Sequence, residues 1–233
     1  MDGSAQLILD QIREVYEAQA DPDRGEAMSR YMRSLFPFYG IPQPRRQELS
    51  KQVILSWGGP LPDDTAKALC RLCFGPAENR EVQYFVNDYL RARAKKLDWS
   101  WVALFEELIQ QKSWWDSVDF LAPKLAGAVM KRHPEPAKAL ARQWIASDNF
   151  WLQRSAILFQ LDYKEDTDWP LLQELILARA GSGEFFVQKA AGWALRQYGR
   201  KNPTGVAGFL DAHRHQLSKL TLREGGKYVL EPE

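Results

Sequence analysis

The chain has 233 residues, of which 26% are charged, and its formal net charge is +1 at pH 7. This balance excludes a uniformly basic nucleic-acid-binding protein, so any affinity for DNA must come from a local basic patch. The N-terminus carries no apolar run like a signal peptide, and no segment has the length and apolar character of a membrane span, so we expect a cytoplasmic protein without a membrane partner.

Apolar residues recur at helical spacing along almost the whole chain. Two segments lie near the N-terminus, around Leu7 and Met28, and ten more follow at about 45–57, 63–74, 78–96, 99–110, 116–132, 136–146, 149–163, 168–180, 184–199 and 204–217. Glycine and proline mark the breaks between them, and no segment shows the alternation of a β-strand. The pattern predicts one all-α domain over residues 1–233.

The C-terminal tail is predicted to contain no helix. After the segment that ends near 217, Glu224-Gly225-Gly226 places two adjacent glycines where a helix would otherwise continue. We therefore assign no helix and no function to this part of the chain.

Residues that could bind a metal or a redox partner are few. Cys70 and Cys73 lie one turn apart in a helical pattern, which favours two small core residues over a redox pair. His213 and His215 are two residues apart and do not converge on a metal from a helix, and His133 stands alone. We expect neither a metal nor a cofactor.

An internal repeat is visible in the second half of the chain. The segment 147–156 aligns with 182–191 at an offset of 35 residues, and one further step back brings Asp119 to the position of Arg154. This period predicts two-helix repeats stacked into a HEAT-like α-α superhelix, a solenoid with a concave groove. Equivalent positions should form rows along one wall of the stack.

The period predicts two such rows. The aromatic row contains Trp115, Phe150 and Phe185, and the charged row contains Asp119, Arg154 and Lys189. We assign Phe150 and Phe185 to the core between repeats, since aromatic residues at one repeat position are most often packed there. The charged row cannot be buried without partners, so it forms either a set of solvated charges or an Asp–Arg salt bridge.

Two short patterns combine indoles with charged groups on one helical face. Trp115 and Asp119 are four residues apart, and Lys189, Trp193 and Arg196 are related as i, i+4 and i+7. Basic side chains interleaved with exposed indoles are typical of surfaces that bind phosphates and nucleotides.

Several motifs together resemble a known family. They are Ser29-Arg30-Tyr31-Met32, Lys112-Ser113-Trp114-Trp115-Asp116-Ser117-Val118-Asp119, Trp144-Ile145-Ala146-Ser147-Asp148-Asn149, Trp151-Leu152-Gln153-Arg154, and Glu184-Phe185-Phe186-Val187-Gln188-Lys189-Ala190 with Gly192-Trp193 and Arg196. In this order they resemble the AlkD-like DNA alkylation-repair glycosylases, which are built from HEAT-like repeats.

The resemblance implies a monofunctional DNA glycosylase that excises 3-methyladenine and 7-methylguanine from duplex DNA while the lesion stays stacked. It implies that Asp119 is the catalytic carboxylate and that Trp115 and Trp193 line the deoxyribose. It also implies that Arg154 and Arg196 contact the DNA backbone and that Tyr31 lies beside the duplex. From the interleaved pattern itself we add Lys189 to the DNA-binding residues.

The chain departs from the family pattern in one loop. The family carries Ser or Thr before a proline and an arginine three residues after that proline, whereas this chain has Gln43-Pro44-Arg45-Arg46-Gln47. Either Arg45 or Arg46 can supply the missing cation, and Arg46 is our candidate for a DNA contact.

Two other functions are compatible with the sequence. A non-catalytic repeat protein could bind DNA or damaged DNA by shape, with salt-dependent affinity and no base release. A protein-binding scaffold is a common use of α-solenoids, but it leaves the two indole patterns unrelated. With a single groove we expect a monomer whose partner is double-stranded DNA carrying alkylated bases.

Overall fold

The computed structural model describes residues 3–229, and every regular element in that range is helical. The chain divides into two compact units, Met1–Ala94 and Lys95–Glu233, which are described separately. The all-α prediction is thus confirmed, while the prediction of one domain over residues 1–233 stays a prediction. Within the described range, no helix combines the length and apolar character needed to cross a membrane.

Over residues 3–94, the first unit contains five α-helices: α1 Gly3–Glu17, α2 Pro22–Tyr31, α3 Gln43–Ser56, α4 Asp63–Cys73 and α5 Arg80–Arg91. Helix α1 packs against α3 and α4, and α5 packs against the same two helices. Cys70 and Cys73 are fully buried in α4, as predicted. Burial raises the pKa of the Cys70 thiol to about 12, so it is protonated and unreactive at neutral pH.

The second unit contains nine α-helices in its described part: α6 Val102–Ile109, α7 Trp115–Phe120, α8 Gly127–Met130, α9 Pro134–Ala146, α10 Phe150–Leu158, α11 Trp169–Ala178, α12 Phe185–Gly199, α13 Pro203–Ala212 and α14 Lys219–Gly226. Helix α10 packs against both α9 and α12, and α12 packs in turn against α13 and α14. The helices therefore stack in chain order.

The predicted 35-residue register appears as repeated hydrogen bonds in this unit. The Gln153 side-chain amide donates to the Ser147 carbonyl at 2.7 Å, and 35 residues later Gln188 donates to Ser182 at 2.7 Å. The hydroxyl of each serine also accepts from the backbone N–H two residues on, at 3.1 and 3.2 Å. The turns that precede α10 and α12 therefore have the same hydrogen-bonding pattern.

Helix α14 contradicts the prediction for the C-terminal tail. Glu224, Gly225 and Gly226 form its last turn, and the Ser218 hydroxyl caps its first turn by accepting from the Thr221 N–H. The two glycines are buried, and a Cβ added at Gly225 would lie 3.0 Å from the Cβ of Leu195. They are the last two residues of the helix, and they permit close packing of helices here.

A π-helical segment interrupts the helix that the sequence predicts over 116–132. Helix α7 continues through π-helical Leu121–Ala126 into α8. Pro123 lies inside this segment, where it has no N–H to donate and where its ring would clash, in an α-helix, with the carbonyl of Asp119 four residues earlier. The wider turn accommodates the proline, so the backbone of Asp119 lies next to a local irregularity of a kind often found at functional sites.

Gly127, the first residue of α8, allows this irregular helix to approach the C-terminal end of α10. A Cβ at Gly127 would lie 2.1 Å from the carbonyl oxygen of Phe159. The Gly127 carbonyl accepts from the Tyr163 hydroxyl at 2.7 Å. A side chain at residue 127 would therefore separate two backbones that are in contact.

Gly127→Ala should destabilise the protein by about 1–3 kcal/mol, because the new methyl group would overlap a backbone oxygen that cannot turn away. The matched control is Gly208→Ala in α13, where no atom lies within 4 Å of the added Cβ. There the substitution should stabilise by roughly 0.5–1 kcal/mol. Urea unfolding measures both, and equal effects at the two glycines would contradict the packing argument.

Candidate active site

Asp119 lies in the last turn of α7, and its side chain is 19% exposed. Both carboxylate oxygens accept from the Arg154 guanidinium, Oδ1 from Nε at 2.7 Å and Oδ2 from Nη2 at 2.8 Å. Such a two-pronged bond fixes the plane of the carboxylate as well as its position. Asp119 is therefore a partly accessible anion held in one orientation.

Arg154 lies on α10 and is almost completely buried, with 3% of its side chain exposed. Its remaining terminal nitrogen, Nη1, donates to the carbonyl of Phe186 in the first turn of α12 at 2.6 Å. The charged row thus contains the Asp–Arg salt bridge, one of the two expected arrangements. A contact between Arg154 and the DNA backbone stays a prediction, and it would require Arg154 to leave these partners.

Burial raises the pKa of Asp119 above the 3.8 of an unperturbed aspartate. The hydrogen bonds and charge of Arg154 act in the opposite direction, and the nearby charge of Asp116 adds to the increase. Because the folded-state pKa is raised, the stability contributed by this group is present at low pH and is lost as pH rises through that pKa. Ionisation of Asp119 in the folded protein therefore lowers the free energy of unfolding.

Both predicted site tryptophans are half-buried, so part of each indole remains accessible. Trp115 is the first residue of α7, one turn before Asp119. Trp193 lies on α12, seven residues after Phe186, whose carbonyl accepts from Arg154. Arg154 therefore links α7, which carries Trp115 and Asp119, to α12, which carries Trp193.

The aromatic row differs from the prediction at two residues, because Phe150 is only half-buried and Phe185 is exposed. Phe185 is 55% exposed and does not belong to the core. The half-buried Phe186 makes the aromatic contacts instead, with ring centroids 5.2 Å from Trp114, 4.8 Å from Trp151 and 6.2 Å from Phe150. Successive side chains of a helix point about 100° apart, so Phe185 at the start of α12 faces solvent while Phe186 turns toward the aromatic rings of α10.

The two cations of α12 share an acidic partner that the sequence analysis missed. Lys189 Nζ lies 2.7 Å from Glu224 Oε1, and Arg196 donates to Glu224 Oε2. The hydrogen bond from Lys189 and then that from Arg196 lower the pKa of Glu224, so it is ionised at neutral pH. One more step of the repeat from Lys189 reaches Glu224, so extending the 35-residue offset into the tail could have found it.

The remaining two candidate residues belong to the first unit. Tyr31 ends α2 and is largely exposed. Arg46 is buried on α3, where its guanidinium bonds both oxygens of Asp88 at 3.0 and 3.2 Å and lies 4.7 Å from the centroid of the Tyr84 ring. DNA contacts by Tyr31 and Arg46 stay predictions, and that of Arg46 would require its pair with Asp88 to open.

Comparison with known proteins identifies the family. A family model described as DNA alkylation repair enzyme matches residues 12–229. A solved structure described as "Predicted DNA alkylation repair enzyme from Enterococcus faecalis" superposes with a TM-score of 0.82 at 35% sequence identity, and the match covers 91% of this chain and 98% of that chain. None of the curated proteins matches the chain. Because the family model spans nearly the whole sequence, the protein belongs to the DNA alkylation repair enzyme family.

Proposed function

We propose that the protein is a DNA glycosylase that hydrolyses the N-glycosidic bond of cationic alkylated purines, such as 3-methyladenine and 7-methylguanine, in duplex DNA. The observation that carries the proposal is Asp119, a partly desolvated carboxylate oriented by a buried guanidinium in a chain of this family. The protein would act as a monomer on DNA in the cytoplasm.

The chemistry of the lesion matches so small a site. A purine alkylated at a ring nitrogen is already positive, so it leaves as a neutral molecule with the bonding electron pair and needs no strong general acid. Positive charge then develops on the deoxyribose, and a nearby carboxylate stabilises it. Water adds to C1′ of the sugar, and its proton passes to Asp119 or to solvent. Each Asp119 oxygen accepts one bond from Arg154, which leaves a second lone pair for that water.

The two half-buried indoles would add to this stabilisation. The face of an indole attracts a cation by about 0.5–2 kcal/mol, with the larger value where water is excluded. Trp115 and Trp193 each leave part of the ring accessible for such a contact with the sugar or the lesion. Lys189 and Arg196, on the same helix as Trp193, would contact DNA phosphates.

Arg154 would act through Asp119 as a positioning residue. Its positive charge weakens the field that Asp119 exerts on the sugar, but it keeps the carboxylate ionised despite burial and holds it in one plane. Fixed orientation matters because electrostatic catalysis depends on groups that need no rearrangement during the reaction.

Asp119→Asn should lower the single-turnover rate of 7-methylguanine release from methylated duplex DNA by about 100–1000-fold, the usual effect of removing one well-placed electrostatic group. The asparagine oxygen can still accept from Arg154, so folding and DNA affinity should persist with reduced stability. The matched control is Asp162→Asn, which removes a half-exposed carboxylate paired with Lys124. Full activity of Asp119→Asn would overturn the proposal, and DNA binding without base release by the wild type would favour the non-catalytic alternative.

The pH dependence of excision tests the role of Arg154. The rate should fall as pH drops through the pKa of Asp119, at a pH above that of an ordinary aspartate because burial raises this pKa. Arg154→Gln removes a charge that lowers the pKa, so this acid limb should move to higher pH. Single-turnover rates across pH measure the acid limb of the wild type and of the variant. An unmoved limb with weaker duplex affinity would instead indicate that Arg154 contacts the DNA backbone.

A further inference from the structure

Glu224 lies between the two cations of α12 that are proposed to bind DNA. Lys189 and Arg196 are seven residues apart on the face that also carries Trp193, and Glu224 bonds one cation with each oxygen. The side chains of Lys189, Arg196 and Glu224 are 37%, 23% and 16% exposed, respectively. This three-residue cluster is therefore accessible to solvent.

Tertiary packing holds Glu224 in a position that its own helix disfavours. It lies in the last turn of α14, where the helix end carries partial negative charge and a carboxylate is unfavourable. Helix α14 reaches α12 at Gly192, where a Cβ would lie 2.5 Å from the Cβ of Glu224. The missing side chain at Gly192 allows the approach, and the two cations offset the unfavourable helix end.

The cluster repeats the Asp119–Arg154 pair with the charges reversed. In both cases the acid and its basic partner are 35 residues apart. Arg154 is buried, however, whereas Lys189 and Arg196 remain partly exposed. An oxyanion from outside can therefore reach the second group of cations. A DNA phosphate uses the same Lys and Arg donors as a carboxylate, so it competes with Glu224 for them.

We propose that Glu224 is an internal competitor for the DNA phosphate at Lys189 and Arg196, an autoinhibitory contact of the free protein. By neutralising both cations in the free protein, it weakens binding to undamaged duplex. A phosphate displaces it where contacts with a lesion supply additional binding energy. This inference rests on the proposed role of α12 in binding DNA.

Glu224→Gln tests the competition by measuring affinity for an undamaged duplex against salt concentration. Binding should become about tenfold tighter at low salt, as expected when a competing ion pair is removed. The plot of log affinity against log salt should steepen by about 1–2, because each phosphate neutralised adds roughly 0.9 to the slope. The matched control is Glu174→Gln, which makes the same charge change at a half-exposed carboxylate paired with Arg142, and it should leave both quantities nearly unchanged.

Equal or weaker binding by Glu224→Gln would overturn the proposal and leave Glu224 as a structural link between α14 and α12. Thermal unfolding checks that α14 remains docked. If α14 does not remain docked, Glu224→Asp tests the competition instead. The shorter side chain cannot span both cations, so this variant should bind undamaged duplex more tightly than the wild type. Release of 7-methylguanine is measured in parallel. If the wild type releases 7-methylguanine but the Glu224 variants bind duplex no more tightly, only the competition is refuted. If the wild type releases no base but the Glu224 variants bind more tightly, only the glycosylase proposal is refuted.

Discussion

The buried guanidinium of Arg154 is the constraint on which the second unit depends. An unpaired buried charge is costly, so each N–H of this group needs an acceptor. Its acceptors lie on two other helices, the Asp119 carboxylate on α7 and the Phe186 carbonyl on α12. Any shift of α7 or α12 relative to α10 would break one of these bonds. The same interaction therefore keeps the three helices in register and fixes the carboxylate that the proposed chemistry needs.

Asp119 and the helix around it depart from the arrangement that would be most stable. Burial raises the pKa of its carboxyl and so disfavours the charged form, which the hydrogen bonds and charge of Arg154 favour. The irregular winding that Pro123 imposes on the next turn is a second local departure from an ideal helix. Departures of this kind persist where the surrounding packing over-determines them, and in proteins they concentrate at functional sites.

The two groups of paired charges in the second unit differ in how deeply they are buried, and this difference determines what each can do. The Asp119–Arg154 pair is desolvated and fixed, so it can orient a reacting group. The cluster of Lys189, Arg196 and Glu224 faces solvent, so its bonds can be exchanged for others. The same repeat position thus carries a buried, fixed ion pair in one repeat and a solvent-accessible ion cluster in the next. The packing around each group determines whether its partners can be exchanged.

The sequence by itself determined the helical class, the 35-residue period and the candidate acid, because periodicity and spacing are local properties of the chain. It also offered the Asp119–Arg154 bridge as one of two arrangements. Only the tertiary structure decided that Phe186 packs and Phe185 is exposed, since the choice depends on how α12 is rotated against α10. The same holds for α14: the glycines that suggested a break fit against Leu195, and the helix they complete brings Glu224 to Lys189 and Arg196. The sequence of a helix does not show where a second helix approaches it closely. Glycine is required at such a point by the neighbouring helix and not by the helix that contains it.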